Sequence, residues 1–126
     1  MIVVDASVLL DAALGNRPLH AMLLSPDLHA PVTIDAEVLH GLRRAVLAGR
    51  VPPDDALFAI DLLERIDLTR HWIKPLVSRM WALRHNITAY DAGYVALAES
   101  LGYPLLTRDR RLAHSAGHAA RIEYID

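Results

Sequence analysis

The segment 88–111 constrains the fold more than any other part of the chain, because it has the pattern of a helix that leads into a buried strand. Thr88 is a favourable N-cap residue, the apolar residues after it have helical spacing, and Gly102 marks the helix end. The short apolar run that follows is typical of a buried parallel strand. Asp91 lies in the first turn of this helix, and Asp109 lies just beyond the strand. The segment therefore predicts a helix–strand unit of an α/β protein with a carboxylate at each end.

Strands and helices alternate along the rest of the chain. Strands are expected at residues 2–5, 28–30, 66–68, 105–107 and 122–125. Helices are expected at residues 7–13, 18–24, 33–48, 52–63, 75–85 and 88–101, with a short one around Leu112. Strands separated by helices indicate a parallel sheet with right-handed crossovers and helices on both faces. A chain of 126 residues with 53% hydrophobic content fits one domain over residues 1–126.

The composition excludes several classes of function. The chain has no cysteine, which rules out disulfides, thiolate catalysis and cysteine-based zinc sites, so any metal ion must be bound by oxygen or imidazole. His114 and His118 are close in sequence, but Gly117 lies between them and no third ligand is evident, which argues against zinc. No apolar run approaches the roughly 20 residues that span a bilayer, and the N-terminus lacks a basic start, so we expect a cytoplasmic protein without a membrane partner. The net charge of −2 does not by itself suggest a polyanionic partner.

Four acidic residues stand out by their positions. Asp5 follows the first strand and Asp109 the fourth, whereas Glu37 and Asp91 lie in the first turns of two helices. Glu37 and Asp91 each have a structural explanation, since acidic residues favour helix N-termini and Asp91 can complete a cap with Thr88. Asp5 and Asp109 are harder to explain in that way, because a partly buried carboxylate after an apolar strand needs a partner. The carboxyl ends of parallel strands form the edge at which open α/β sheets bind ligands.

A cluster of these four carboxylates requires a counter-charge. Like charges in one pocket raise one another's pKa values and destabilise the fold, and a hard divalent cation removes that conflict. Oxygen ligands in a chain without cysteine favour Mg²⁺ or Mn²⁺. These ions suit phosphodiester hydrolysis, because they activate a water molecule and stabilise the charge on the leaving oxygen.

The sequence resembles a PIN domain and, within that superfamily, a VapC-type toxin of bacterial type II toxin–antitoxin pairs. The resemblance covers nearly the whole chain and is carried by Val4-Asp5-Ala6-Ser7, Glu37-Val38-Leu39, residues 88–99, and Leu106-Thr107-Arg108-Asp109. It implies a three-layer α/β/α fold with a five-stranded parallel sheet, and an endoribonuclease that uses Mg²⁺ or Mn²⁺. It also implies a homodimer that acts on RNA and is inhibited by a cognate VapB-type antitoxin.

The resemblance also implies roles for individual residues. The catalytic acids of the family correspond to Asp5, Glu37, Asp91 and Asp109. The implied metal ligands among them are Asp5, Asp91 and Asp109. The small hydroxyl residues near the metal correspond to Ser7 and Thr107, which support the site rather than act in catalysis. The rim of the pocket, including His40, departs from the family pattern, so the resemblance does not identify the RNA target.

Two surfaces are expected to contact macromolecules. The arginines that flank the last acid are expected to bind RNA phosphates, in preference to aromatic contacts, although a solvated run of charges explains them nearly as well. These residues are Arg108, Arg110 and Arg111. Surplus leucines on two helices are expected to line an apolar groove for the antitoxin, unless they simply fill the core. These residues are Leu39, Leu42 and Leu57.

Two other classes of function stay open on the residues alone. A phospho-receiver module uses an aspartate at a strand end beside Mg²⁺ on a similar sheet, but it needs a lysine near the site. The only lysine here is Lys74, in a predicted helix. A non-catalytic α/β binding module is the other alternative, and the intact set of four acids argues against it.

Overall fold

A sheet of five parallel strands forms the centre of the molecule. The computed structural model describes residues 1–126. The strands are β1 (Ile2–Val4), β2 (Leu28–Pro31), β3 (Leu68–His71), β4 (Leu105–Thr107) and β5 (Ile122–Tyr124). They pair in the order β3-β2-β1-β4-β5, and every pair is parallel. The chain therefore reverses its direction of travel across the sheet between β1 and β4, which is the position at which open α/β sheets bind ligands.

Helices flank this sheet and complete the predicted α/β/α fold, whose five parallel strands are confirmed. The helices are α1 (Ala6–Ala13), α2 (Arg17–Met22), α3 (Ile34–Leu47), α4 (Pro53–Arg65), α5 (Val77–Ala82), α6 (Ala89–Leu101) and α7 (Arg110–Ala113), with a 3₁₀ helix at Lys74–Leu76. Helix α1 packs against α2, α3 and α4, whereas α6 packs against α5 and the central strands. No helix combines the length and the apolar character that crossing a bilayer requires.

The two central strands and α6 form the middle of the hydrophobic core. Val3, Val4 and Leu105 are fully buried, and all residues from 92 to 98 of α6 are buried as well. A helix that is buried on nearly all sides needs small side chains, and most of this stretch is alanine or glycine. This packing holds in place the ends of β1, β4 and α6, where three of the four predicted acids lie.

The third strand begins later than its sequence pattern indicates. Ile66 ends α4, and β3 starts at Leu68 and continues through the less apolar residues 69–71. The strand lies at the edge of the sheet, where its side chains are only partly covered, so most of its residues need not be apolar. The expected strand at residues 66–68 is therefore wrong in its boundaries and correct in its existence.

Two helix predictions also need correction. The helix expected at residues 75–85 is a 3₁₀ turn followed by the shorter α5, in which the apolar residue Val77 is exposed. Leu76 and Leu83 are the two residues of this segment that are buried in the core. The helix expected at residues 33–48 begins one residue later, at Ile34, and the side chain of the preceding Thr33 makes no capping hydrogen bond.

Gly102 ends α6 in the left-handed region, with a φ of +69°. We predict that Gly102→Ala lowers the free energy of unfolding by about 1–2 kcal/mol, because only the backbone conformation disfavours the added methyl group. No neighbouring atom lies within 4 Å of the position that its Cβ takes. Urea unfolding measures the difference, with the exposed helix position Ser100→Ala as a control expected within about 0.5 kcal/mol of the wild type. Equal free energies of unfolding for Gly102→Ala and Ser100→Ala would contradict the assigned left-handed conformation of Gly102.

Candidate active site

Asp5 directly follows β1 and caps α1, so its carboxylate is buried where the strand order reverses. Its Oδ1 accepts hydrogen bonds from the Ser7 hydroxyl at 2.6 Å and from the Val8 N–H at 3.1 Å. Its Oδ2 accepts a hydrogen bond from the hydroxyl of Thr107, at the end of β4. Asp5 therefore connects two strands that are neighbours in the sheet but distant in sequence.

The two hydroxyl groups that bind Asp5 also hold the loop after β4. The Ser7 Oγ accepts a hydrogen bond from the N–H of Arg108 at 3.0 Å. The Thr107 Oγ1 accepts one from the N–H of Asp109 at 3.0 Å. Each hydroxyl thus donates to the Asp5 carboxylate and accepts from the backbone that carries the next acid. Ser7 and Thr107 therefore link the Asp5 carboxylate to the loop after β4.

All four predicted acids lie at helix N-termini along the carboxyl edge of the sheet. Asp5 is the N-cap of α1, and Asp109 is the N-cap of α7, where its Oδ1 accepts a hydrogen bond from the Arg111 N–H at 2.9 Å. Glu37 and Asp91 lie in the first turns of α3 and α6. The partial positive charge of a helix N-terminus stabilises a nearby carboxylate. The fold therefore offsets part of the repulsion among these acids.

The acids lie close enough together to alter one another's ionisation. Burial raises the pKa of the Asp5 carboxyl, its hydrogen bonds oppose this, and the charge of Asp109 adds to the rise. Burial also raises the pKa of Asp91, with contributions from the charges of Asp109 and Asp5. Burial raises the pKa of Glu37 to about 7, and the charges of Asp91 and Asp5 contribute to that rise. The site therefore carries more negative charge than it stabilises on its own, which favours a bound cation.

Glu37 lies beside the buried phenol of Tyr94 on α6. The Oε1 of Glu37 and the hydroxyl of Tyr94 are both buried without a hydrogen-bond partner of normal geometry. Burial raises the pKa of Tyr94, and the charge of Glu37 raises it further, so the two groups are near each other. A buried carboxylate oxygen without a partner costs free energy. Glu37 is thus poised to bind a ligand or a proton.

Two clefts flank the acids. The first, of about 390 Å³, contains Asp91 and Asp109 together with Arg84 and Arg111. The second, of about 580 Å³, contains Glu37 and lies between α3 and the first turn of α6. The sequence pattern gives no indication of Arg84, because it belongs to the turn after α5 and only the fold brings it to the acids.

The three arginines predicted to contact RNA lie in different environments. Arg108 forms an ion pair with Asp11 at 3.1 Å. Arg110 donates a hydrogen bond to the Tyr124 hydroxyl at 3.1 Å and lies over its ring. Arg111 lines the first cleft, beside two of the acids. Of the three, Arg111 is therefore the one best placed to reach a phosphate group at the site.

Comparison with known proteins places the chain in a family. A model of the PIN domain matches residues 2–117. The chain belongs to the PIN-domain family. This PIN domain is 42% identical to Ribonuclease VapC1 of Mycobacterium tuberculosis, over 98% of this chain and 96% of that protein. It is 41% identical to the VapC ribonuclease Mb0985 of Mycobacterium bovis, over 90% of this chain and 89% of that protein. The resemblance to PIN domains and VapC proteins that the motifs predicted is confirmed.

Two solved structures share the fold of this PIN domain. PAE2754 from Pyrobaculum aerophilum superposes with a TM-score of 0.71 at 23% identity, over 96% of this chain and 81% of that one. VapBC-5 from Mycobacterium tuberculosis, a member of the VapBC family of toxin–antitoxin systems, superposes with a TM-score of 0.61 at 27% identity. That match covers 98% of this chain and 95% of the other.

The acids of this PIN domain fit an oxygen-coordinated divalent cation in their chemistry and charge. No group of three or more Asp, Glu or His side chains is arranged so that it could hold an ion directly. The three ligands implied by the resemblance therefore do not surround a single ion position. Both oxygens of Asp5 accept hydrogen bonds, and Asp91 and Asp109 line an open cleft. Mg²⁺ commonly binds through one or two carboxylates and keeps several waters, so an open arrangement of this kind suits it.

We predict that the metal-free PIN domain loses stability as the pH rises, and that Glu37 accounts for part of the loss. The folded-state pKa of Glu37, about 7, lies above its ordinary value of 4.5. Its contribution to stability is fully present below the lower value and is lost as the pH rises through the higher one. Urea unfolding in EDTA should therefore show a smaller decrease from pH 5 to pH 8 in Glu37→Gln than in the wild type.

The exposed residue Glu64, on α4, supplies the control for this measurement. Glu64→Gln also replaces one carboxyl group by an amide, but it lies away from the four acids, so this variant should reproduce the pH dependence of the wild type. Indistinguishable pH profiles for Glu37→Gln and the wild type would refute the assignment of a raised pKa to Glu37.

Proposed function

We propose that this PIN domain is a divalent-metal-dependent endoribonuclease that acts as the toxin of a toxin–antitoxin pair. The observation that carries the proposal is the set of four mutually interacting carboxylates beside the reversal point between β1 and β4. The VapC relatives, which are named ribonucleases, support RNA as the substrate. The proposed site of action is the cytoplasm, where RNA is available.

In the proposed mechanism the residues of this chain bind the ion, move a proton and hold the substrate. Asp5, Asp91 and Asp109 would hold Mg²⁺ or Mn²⁺, one or two of them directly and the rest through waters that the ion keeps. Such an ion, when bound, lowers the pKa of water and stabilises the charge that develops on the leaving oxygen. Glu37, whose pKa is raised to about 7 and which lines the second cleft, accepts a proton from the attacking water.

The remaining side chains of the site orient the acids and the RNA. Ser7 and Thr107 donate hydrogen bonds to Asp5, which favours its ionised form and fixes its rotamer. Arg84 and Arg111 lie beside the acids in the first cleft, and their guanidinium groups match the geometry of phosphate oxygens.

The proposed inhibitor is a cognate VapB-type antitoxin with a segment that lies over the acids. An arginine in that segment can pair with two carboxylates at once and thereby compete with the metal. Exposed apolar side chains at Leu39, Leu57 and Phe58 supply a surface for the rest of the segment. Leu42 does not contribute, contrary to the prediction, because it lies on the inward face of α3 and is buried in the core.

We also propose that the protein forms a homodimer. Trp72, Val77 and Trp81 around α5 are all more than half exposed, and a second copy of the chain would cover this apolar surface. The receiver-type alternative gains no support, since Lys74 lies in the 3₁₀ helix and lines neither of the clefts beside the acids.

Asp5→Asn should abolish RNA cleavage and leave the fold intact. The amide keeps the size of the side chain and removes the charge that the cation needs, so we expect a loss of more than about 100-fold. The assay is Mg²⁺-dependent cleavage of a panel of structured RNAs by the purified protein. Asp67→Asn, at an exposed position between α4 and β3, is the matched control and should retain activity. Wild-type rates in a rigorously purified Asp5→Asn protein would exclude the proposed chemistry.

The proposed antitoxin makes a second, independent prediction. Co-expression of this chain with a small reading frame encoded beside it should yield a complex that cleaves RNA more slowly than the free protein. Replacing the arginine of the inhibitory segment with Gln should restore more activity than removing an apolar contact, because it leaves buried carboxylates unpaired. A complex as active as the free protein would remove the toxin assignment, while the ribonuclease assignment could still stand.

A further inference from the structure

The cleft between α3 and α6 contains more than the catalytic acid at its edge. Small residues line much of its wall, namely Ala6, Ala36 and Gly41. A side chain at position 41 would bring its Cβ within 2.8 Å of the Leu10 side chain, so α3 lies close against α1 here. The cleft therefore has space for a flat group beside Glu37. Glu37 belongs both to this cleft and to the candidate active site.

Tyr90 supplies an aromatic ring at this cleft. It precedes Asp91 in the first turn of α6 and is 66% exposed. Its hydroxyl makes no hydrogen bond, and its ring neither stacks on another aromatic side chain nor lies under a cation. Stacking of an exposed aromatic ring on a nucleobase is favourable for every base, because each base has a π-face.

Arg44 supplies a positive charge at the far end of the same cleft. It lies two helical turns beyond Glu37, a distance of about 10 Å along the axis of α3. It is exposed and forms no ion pair. At that distance from Glu37, a phosphate bound by Arg44 is not the one being cleaved. The charge of Arg44 instead fits a phosphate further along the strand.

We propose that this cleft binds an unpaired nucleotide of the RNA substrate beside the cleaved bond, with its base stacked on Tyr90 and a more distant phosphate bound by Arg44. The proposal rests on the proposed ribonuclease function and adds the two residues, Tyr90 and Arg44, that would bind the RNA beside the cleaved bond. A base held inside a duplex is not free to stack on a protein side chain. The proposed aromatic contact departs from the sequence prediction, which favours arginine contacts over aromatic ones.

The affinity for unstructured RNA oligonucleotides tests this proposal, with the Asp5→Asn protein as the background so that no cleavage occurs. Tyr90→Ala should raise the Kd at least about fivefold, whereas Tyr90→Phe keeps the ring and should change it less than about twofold. Leu24→Ala is the control, because Leu24 is also an exposed apolar residue but lies after α2 in a different pocket. It should bind RNA like the parent protein.

Arg44→Gln has a separate signature in the salt dependence. Loss of one phosphate contact on a single strand should reduce the slope of log K against log salt by roughly 0.7. The neighbouring exposed residue Arg43 does not line the cleft, so Arg43→Gln should leave the slope unchanged.

RNAs with one abasic nucleotide distinguish stacking from a structural role of Tyr90. The abasic position is moved along the strand. At one position, next to the cleavage site, the parent protein should bind the RNA more weakly. On that RNA, Tyr90→Ala and its parent should have the same Kd. A difference that persists on every abasic RNA would overturn the stacking assignment.

The outcomes also separate this proposal from the function on which it rests. If the wild type cleaves these RNAs while Tyr90→Ala and Arg44→Gln bind RNA like their controls, the proposed nucleotide site is wrong and the ribonuclease function still stands. The cleft would then be assigned to a protein partner. Equal affinity for duplex and single-stranded RNA would likewise overturn the nucleotide site. If the wild type neither binds nor cleaves RNA, both proposals fail.

Discussion

The hydrogen bonds around Asp5 are the interaction on which the site depends. The carboxylate is buried, and such a group is stable only when donors surround it. Ser7 and Val8 donate to it from α1, and Thr107 donates to it from the end of β4. Because the same two hydroxyl groups accept hydrogen bonds from the backbone of the loop beyond β4, they hold Asp5 and Asp109 in position relative to each other.

The fold concentrates negative charge at this edge and only partly compensates it. Three helices of eight residues or more begin there, at Ala6, Ile34 and Ala89, and their N-terminal partial charges favour carboxylates. The pKa values of Asp5, Glu37 and Asp91 are nevertheless raised, since burial and mutual repulsion outweigh these contributions. Burial and repulsion among the acids lower the free energy of unfolding, and a cation that binds the folded state raises it again.

The parts of the fold and site that could be predicted from sequence are those that local patterns determine. Asp5 and Asp109 follow apolar strands, so parallel topology alone brings them to one edge of the sheet. Tertiary geometry decides the rest. No local pattern separates the buried Leu42 from the exposed Leu39 three residues earlier, since both lie on an amphipathic helix. Nor does sequence show that Arg108 is paired with Asp11, because that contact crosses from the loop after β4 to α1.

The central claim is that these carboxylates bind a divalent cation, and anomalous scattering from crystals grown with Mn²⁺ tests it most directly. We expect an anomalous peak within about 2–2.5 Å of a carboxylate oxygen at the carboxyl ends of β1 and β4. The peak should disappear in Asp91→Asn crystals prepared in the same way. A wild-type protein that cleaves RNA but shows no Mn²⁺ peak at these acids, even at saturating metal concentration, would contradict the claim.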